Sequence, residues 1–264
     1  MNEPLFTFDA GSATHVGKVR VRNEDSHLVR SDAGLWAVAD GMGGHEAGNV
    51  ASELVVAALD TVSSSKSAAE FLEEVQSRVL LANRQILELR RQRGGIVIGS
   101  TVTVLLISEN HYACLWAGDS RLYLASRGAI RQVSRDHTEI EELLASGGVT
   151  IDEARDWPTN VITRAVGVRD NPELEIVSGA FEACDIFVLC SDGLTRHVTD
   201  DEILECVSTR DAQASSTALV HLALERGGLD NVTVIVVRTT NQTPKQERTI
   251  PAAILQAPPA EVWE

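Results

Sequence analysis

Lysine is nearly missing from this sequence. Lys18, Lys66 and Lys245 are the only three in 264 residues, and no block of Lys and Arg occurs anywhere along the chain. With a formal net charge of −15, there is nothing to track a phosphate backbone or settle on an anionic membrane. Nucleic acid and lipid are therefore excluded as expected partners. Cysteine is sparse too. Cys114, Cys184, Cys190 and Cys206 form neither a CxxC pair nor a His-spaced zinc pattern. Three of them sit in or beside apolar runs, where cysteine acts as a small hydrophobe. A reducing compartment, the cytoplasm, is expected. No apolar stretch approaches the ~18 residues of a membrane span, and no basic segment leads into an apolar one near the start, so no secretory leader is expected.

What remains is an ordinary globular composition, 44% hydrophobic and 23% charged. A chain of this length buries roughly three quarters of its unfolded surface and needs no disulfide. Residues 1–240 read as one domain, without repeats or low-complexity blocks. The last segment, 241–264, holds four of the seven prolines and shows neither helical nor strand periodicity, so a weakly ordered tail is expected there.

Two helices are the clearest local signals. Ala47, Val50, Ala51, Leu54, Val55, Ala58, Leu59 and Val62 alternate spacings of three and one, which is one face of a helix. Ser67 and Glu70 make a capping box for a second helix, with Phe71, Val75, Val79, Ala82, Ile86 and Leu89 on its apolar face and Gly94-Gly95 as its stop. Beyond that pair the texture is strand: 100–108, 111–118, 121–126, 185–192 and 231–238, with helical patterns at 200–208 and 212–226. Residues 27–30 and 34–41 read as an earlier strand pair. Glu109-Asn110 and Gly118-Asp119-Ser120 are spaced like hairpin links. Segregated helices and hairpin-linked strands predict an α+β fold with antiparallel sheets.

Five aspartates fall at element tips. Asp40 closes the apolar run 35–39 and opens DGMGG; Asp192 follows the run 186–190; Asp230 precedes 232–237; Asp119 lies in a tight turn; and Asp25 ends RNED. One such Asp-Gly tip would be an ordinary turn. Five of them form a hard, oxygen-only donor set that suits Mg²⁺ or Mn²⁺ rather than zinc or copper. Without a cation, clustered carboxylates repel and raise one another's pKa.

The ordered series RVRNED (20–25), ADGMGG (39–44), AGDSR (117–121), SRDHT (134–138), TRAVG (163–167), SDG (191–193) and DN (230–231) resembles the metal-dependent protein phosphatases of the PP2C (PPM) type. The likeness is greatest to compact bacterial members, which carry DGMGG where eukaryotic ones usually carry DGHGG. It covers about residues 8–238.

The resemblance implies a four-layer α-β-β-α sandwich of two antiparallel sheets flanked by helix pairs, with a flap subdomain at about 137–172. It implies a protein serine/threonine phosphatase in which a hydroxide bridging two Mn²⁺ or Mg²⁺ ions attacks phosphorus. By motif, Asp40 would bridge the two core ions and Gly41 would offer its carbonyl oxygen to the second. Asp192 and Asp230 would complete the first ion's ligands. Glu24 and Asp25 would act largely through bound waters, and Asp119 with Asp192 would hold a weaker third ion. Arg20 would grip the phosphate, as a guanidinium fork can.

Met42 stands where eukaryotic relatives place a histidine that protonates the leaving oxygen. His45 and His137 are the nearby imidazoles, the second expected in a structural hydrogen bond. Arg164 is open between a salt bridge and substrate contact. The implied partners are phosphorylated proteins, a Hanks-type Ser/Thr kinase and its substrates, with the chain a monomer. A non-catalytic scaffold of the same fold would be expected to lose a metal-site acid, and Asp40, Asp192 and Asp230 are all present.

Overall fold

The computed structural model describes residues 6–43, 47–63, 67–154, 157–158 and 161–241. Two antiparallel sheets stack face to face. One runs in the order β1 (Phe6–His15), β11 (Val232–Asn241), β10 (Ile186–Cys190), β7 (Arg121–Ser126), β8 (Ala129–Gln132). The other runs β2 (Asp25–Arg30), β3 (Leu35–Gly43), β5 (Val102–Ser108), β6 (His111–Ala117), β9 (Glu175–Ala180), and short β4 (Ile98–Ser100) pairs with the end of β3. Helices α1 (Gly48–Asp60) and α2 (Ala68–Gln92) cover the second sheet; α6 (Asp200–Thr209) and α7 (Ala212–Glu225) cover the first.

The layering follows from strand alternation. In β10, Ile186, Val188 and Cys190 pack toward α6 and α7, while Phe187 and Leu189 meet Trp36 and Val38 of β3 between the sheets. In β3, Leu35, Ala37 and Ala39 turn the other way, toward α1 and α2. Central strands buried on both faces read as unbroken apolar runs, which is why these segments stood out in the sequence. The predicted four-layer order is the one observed.

The second helix starts at the expected cap: Ser67 Oγ accepts the Glu70 N–H at 3.2 Å and donates its own O–H to Glu70 Oε2 at 3.1 Å. At the start of the segment 137–172, α3 (Glu139–Ser146) forms with Thr138 as its N-cap. Two one-turn helices, α4 (Ile151–Ala154) and α5 (Asp192–Thr195), complete the elements.

Glu109-Asn110 is a hairpin turn, with Glu109 at φ +54° and Ser108 paired to His111. Gly118-Asp119-Ser120 is not a hairpin. It carries the chain from β6 in one sheet to β7 in the other. Turn residues report a reversal but not the sheet that receives the next strand; here Gly118 at φ +117° lets the backbone cross, and Thr103 Oγ1 donates to the Ser120 carbonyl at 2.7 Å to pin it. The tail expected at 241–264 falls, from 242 on, outside the described residues; its first position, Asn241, ends β11.

Candidate metal centre

Antiparallel pairing puts the end of one strand beside the start of the next, and this gathers the acids at one end of the sandwich. Asp25 opens β2 directly opposite Asp40 near the end of β3. Asp192 follows β10, and Asp230 precedes β11, its neighbour. Asp119 lies in the crossing between sheets. A cleft of about 250 Å³ opens there, lined by Arg20, Glu24, Asp40, Gly41, Asp119, Asp192 and Asp230 together with Met42, Thr101, Ile162, Arg196 and Asn231. Of the eight residues singled out in the sequence, seven line it. Asp25 is the exception, buried behind the wall where its Oδ2 accepts Ser191 Oγ at 2.8 Å and Thr233 Oγ1 at 2.7 Å.

The backbone of the cleft is clamped. The Asp40 N–H donates to Thr101 Oγ1 at 2.9 Å, and its carbonyl oxygen accepts the Thr101 N–H at 2.8 Å. A Cβ on Gly41 would stand 2.0 Å from the Gly48 carbonyl oxygen, and one on Gly193 would stand 1.9 Å from that of Asn231. Only glycine lets these segments approach so closely. Asn231 binds the first motif to the last: its Oδ1 accepts the Glu24 N–H at 2.8 Å, and its Nδ2 donates to the carbonyl oxygens of Val16 and Arg22.

Two guanidiniums meet the acids. Arg20 Nη2 donates to Asp230 Oδ2 at 2.8 Å, and Arg196 Nη1 donates to the same oxygen at 3.2 Å. Arg196 Nη2 also bonds Asp192 Oδ2. Asp25 Oδ1 and Asp192 Oδ1 are buried with no hydrogen-bond partner.

As the side chains stand, no group of three acids, histidines or cysteines among the described residues is gathered to hold an ion. The donor chemistry nevertheless fits a divalent cation. Every candidate donor is oxygen, two buried carboxylate oxygens lack partners, and the acids disfavour one another's ionisation. Burial, and then the charges of Asp25, Asp192, Asp119 and Asp230, push the Asp40 carboxyl well above its ordinary range. Asp25 is pushed up to about 7 by burial, against the pull of its two hydroxyl donors. Asp119 also rises to about 7, by burial and then by Asp192. Burial raises Asp192, with Arg196 opposing, and it raises Glu24, with Arg20 opposing. A bound cation would reverse each of these penalties.

His137 and Arg164 lie outside the cleft lining. His137 Nδ1 accepts the Gly118 N–H at 3.2 Å, and the ring stacks on Trp116 at 5.7 Å. The expected structural bond is thus present, and it braces the turn that carries Asp119. Arg164 Nη1 donates to Glu175 Oε1 at 2.8 Å, the salt bridge of its two readings. His45 falls outside the described residues. Sequence reasoning missed Arg196, although it follows Asp192 by four residues, the spacing of a helical ion pair. Reading 185–192 as strand hid the one-turn α5 that brings the two together. Thr101 and Thr233 carried no motif signal, and Ser191, though it opens the SDG motif, was given no role; together they hold Asp40 and Asp25.

The family model "Protein phosphatase 2C" matches residues 11–143. The serine/threonine protein phosphatase PstP of Mycobacterium tuberculosis is 39% identical over 225 residues, which is 83% of this chain and 43% of that protein. The chain therefore spans less than half the length of this curated relative. The solved structure of PppA, described as a key regulatory component of T6SS in Pseudomonas aeruginosa, superposes with a TM-score of 0.82 at 39% identity, covering 88% of this chain and 98% of that one. The catalytic domain of PstP in complex with 2 manganese ions gives 0.81 at 33% identity, covering 89% of this chain and 100% of that one.

Proposed function

The chain belongs to the protein phosphatase 2C family, and we propose that it hydrolyses phosphoserine and phosphothreonine in proteins with the help of two divalent cations. One observation supports this above the rest. Strand-tip carboxylates from both sheets open on a single cleft with Arg20 among its lining, and a buried oxygen of Asp192 there, like one of Asp25 behind the wall, has no partner.

Asp40, the Gly41 carbonyl oxygen, Asp192 and Asp230 would hold the core pair, with Glu24 and Asp25 in support and Asp119 with Asp192 serving a weaker third ion. The pair supplies an activated water and offsets negative charge on the phosphoryl oxygens. Mn²⁺ and Mg²⁺ suit such an oxygen set, and the manganese pair of the PstP catalytic domain supports the choice.

This chain's own residues do the rest. Arg20, half exposed, presents a fork of N–H donors that can hold two phosphoryl oxygens and orient the ester. Asn231 and Thr101 keep the acids in register through the bonds described above. Water oxygen bonds to phosphorus as the ester P–O bond breaks, and the seryl or threonyl oxygen leaves with a proton. Met42 cannot give that proton, and no imidazole is among the described lining residues, so water provides it.

The partners on this reading are phosphoproteins and the Ser/Thr kinase that makes them. We place the chain in the cytoplasm as a monomer, supported by four free thiols, Cys114, Cys184, Cys190 and Cys206. No helix among the described residues is long and apolar enough to cross a membrane. Residues 1–240 act as one phosphatase domain with a flap at about 137–172.

Hydrolysis of p-nitrophenyl phosphate and of a phosphothreonine peptide is expected to need added Mn²⁺ or Mg²⁺ and to stop in EDTA. Full activity in excess chelator, or recovery with zinc alone, would refute the assignment.

A further inference from the structure

Nine large apolar side chains are exposed among the described residues, and they are not scattered evenly. Val29 and Ile176 lie on the outer strands β2 and β9, Leu80 on the α2 helix, and Trp157 in the insert after α4. The other five are neighbours of the cleft. Val19 and Val21, 62% and 95% exposed, flank Arg20; Leu229, 55% exposed, precedes Asp230. Val161 precedes Ile162 in the lining, and Val97 precedes Ile98, which pairs with Gly43 of the lining. The Lys18 N–H donates to the Gly228 carbonyl oxygen at 2.7 Å, so the loops bearing Val19 and Leu229 are tied side by side.

Single exposed valines are normal on a protein surface, but a ring of them around one polar cleft marks a contact surface. A small phosphate ester held by Arg20 has no neighbouring side chains to lay on them. A polypeptide entering with its phosphate on Arg20 would lay its neighbouring side chains across them.

We propose that this ring is a specificity surface, which selects phosphorylated segments carrying bulky apolar side chains next to the phosphoserine or phosphothreonine. The proposal rests on the phosphatase reading above. Its occupant is an extended phosphopeptide, because four of these side chains are next in sequence to the lining residues Arg20, Asp230 and Ile162, and the fifth, Val97, is next to Ile98, the strand partner of Gly43.

Two phosphothreonine peptides of equal length and charge test this, one with valine and leucine beside the phosphorylated residue and one with serine at those positions. With saturating Mn²⁺, kcat/KM is expected to favour the apolar peptide by about tenfold, the low end of what an added apolar contact gives in substrate discrimination. The double variant Val19→Ser, Val21→Ser and the single variant Val161→Ser, all at exposed positions, should bring that ratio toward one. Equal rates on the two peptides with wild type, or an undiminished ratio in both variants, would overturn the proposal. So would gel filtration showing a wild-type dimer that the serine variants dissociate, which would reassign the ring to a second copy of this chain. Hydrolysis of p-nitrophenyl phosphate is run alongside. Its absence sinks the phosphatase reading and this proposal together, whereas its presence without peptide discrimination sinks this proposal alone.

Discussion

In protein stripped of divalent cations, Asp119→Asn should stabilise the fold, by an amount that grows from about pH 4 to about pH 7 and is full above it. Asp119 is buried in the crossing between the sheets, and its carboxyl rises from 3.8 to about 7, chiefly by burial and then by the charge of Asp192. The folded protein therefore holds this proton more tightly than the unfolded chain does. Between about pH 4 and about pH 7 the folded state binds more protons, so stability falls as pH climbs through that window and stays low above it. A rise of about three pH units corresponds to about 4 kcal/mol once the group is ionised in both states. Relaxation of the loop leaves roughly 2–4 kcal/mol of that cost.

Asparagine has nearly the same volume and no charge to bury. At about 2–4 °C per kcal/mol for a domain of this size, the variant should melt roughly 5–10 °C above wild type at pH 8 in EDTA. At pH 4.5 the two should coincide within a degree or two. Excess Mn²⁺ should close or invert the pH 8 gap if Asp119 holds an ion as proposed, because the variant lacks that carboxylate. Differential scanning calorimetry at both pH values, with and without Mn²⁺, reads all of this. A variant that melts below wild type at pH 8 in EDTA would refute the reasoning, as would a gap of equal size at pH 4.5.

Arg196→Gln should act in the opposite sense. It removes a cation from Asp192 and Asp230, so the cation-free protein should melt a few degrees lower while Mn²⁺ binds about tenfold tighter, the equivalent of ~1.4 kcal/mol of lost competition. Isothermal titration calorimetry giving an unchanged Kd would show that these ion pairs do not oppose the metals. Thr233→Val deletes one of the two hydroxyl donors on Asp25 Oδ2 while Oδ1 already lacks a partner. Denaturant unfolding should register a loss of about 1–3 kcal/mol, and an unmoved midpoint would show that this buried hydrogen bond is dispensable.

Legibility in the sequence followed physical type. Helices α1 and α2 were readable because one face of each is apolar at 3–4 spacing and the other is solvated. Strands β3, β5 and β10 were readable because burial on both faces leaves an unbroken apolar run. Strand β1 (Phe6–His15) escaped notice: its sequence FTFDAGSATH has few β-branched residues, and only Gly11 within it is fully buried. It is held instead by ten register pairs to β11, an interaction between the two ends of the domain that no local window contains. The same limit applies to Gly118-Asp119-Ser120, whose residues announce a reversal but not a change of sheet.

The candidate site divides along the same line. Asp40, Asp119 and Asp192 are costly where they stand, and a carboxylate at the tip of a buried strand is visible in a sequence because no packing reason explains it. Arg196, Thr101, Ser191, Thr233 and Asn231 are ordinary residues at ordinary positions, and their roles exist only once antiparallel pairing has brought the strand tips to one end. Asn231 shows why. The DN motif marks its position but not its role, which is to close three hydrogen bonds to the loop at 16–24, more than 200 residues away. Together with the Arg20 bond to Asp230 and the Lys18 N–H bond to the Gly228 carbonyl oxygen, these hold that loop against the strand tip. A carboxylate that is expensive to bury advertises itself, whereas the groups that make its burial tolerable are satisfied by their partners and so leave no anomaly to read.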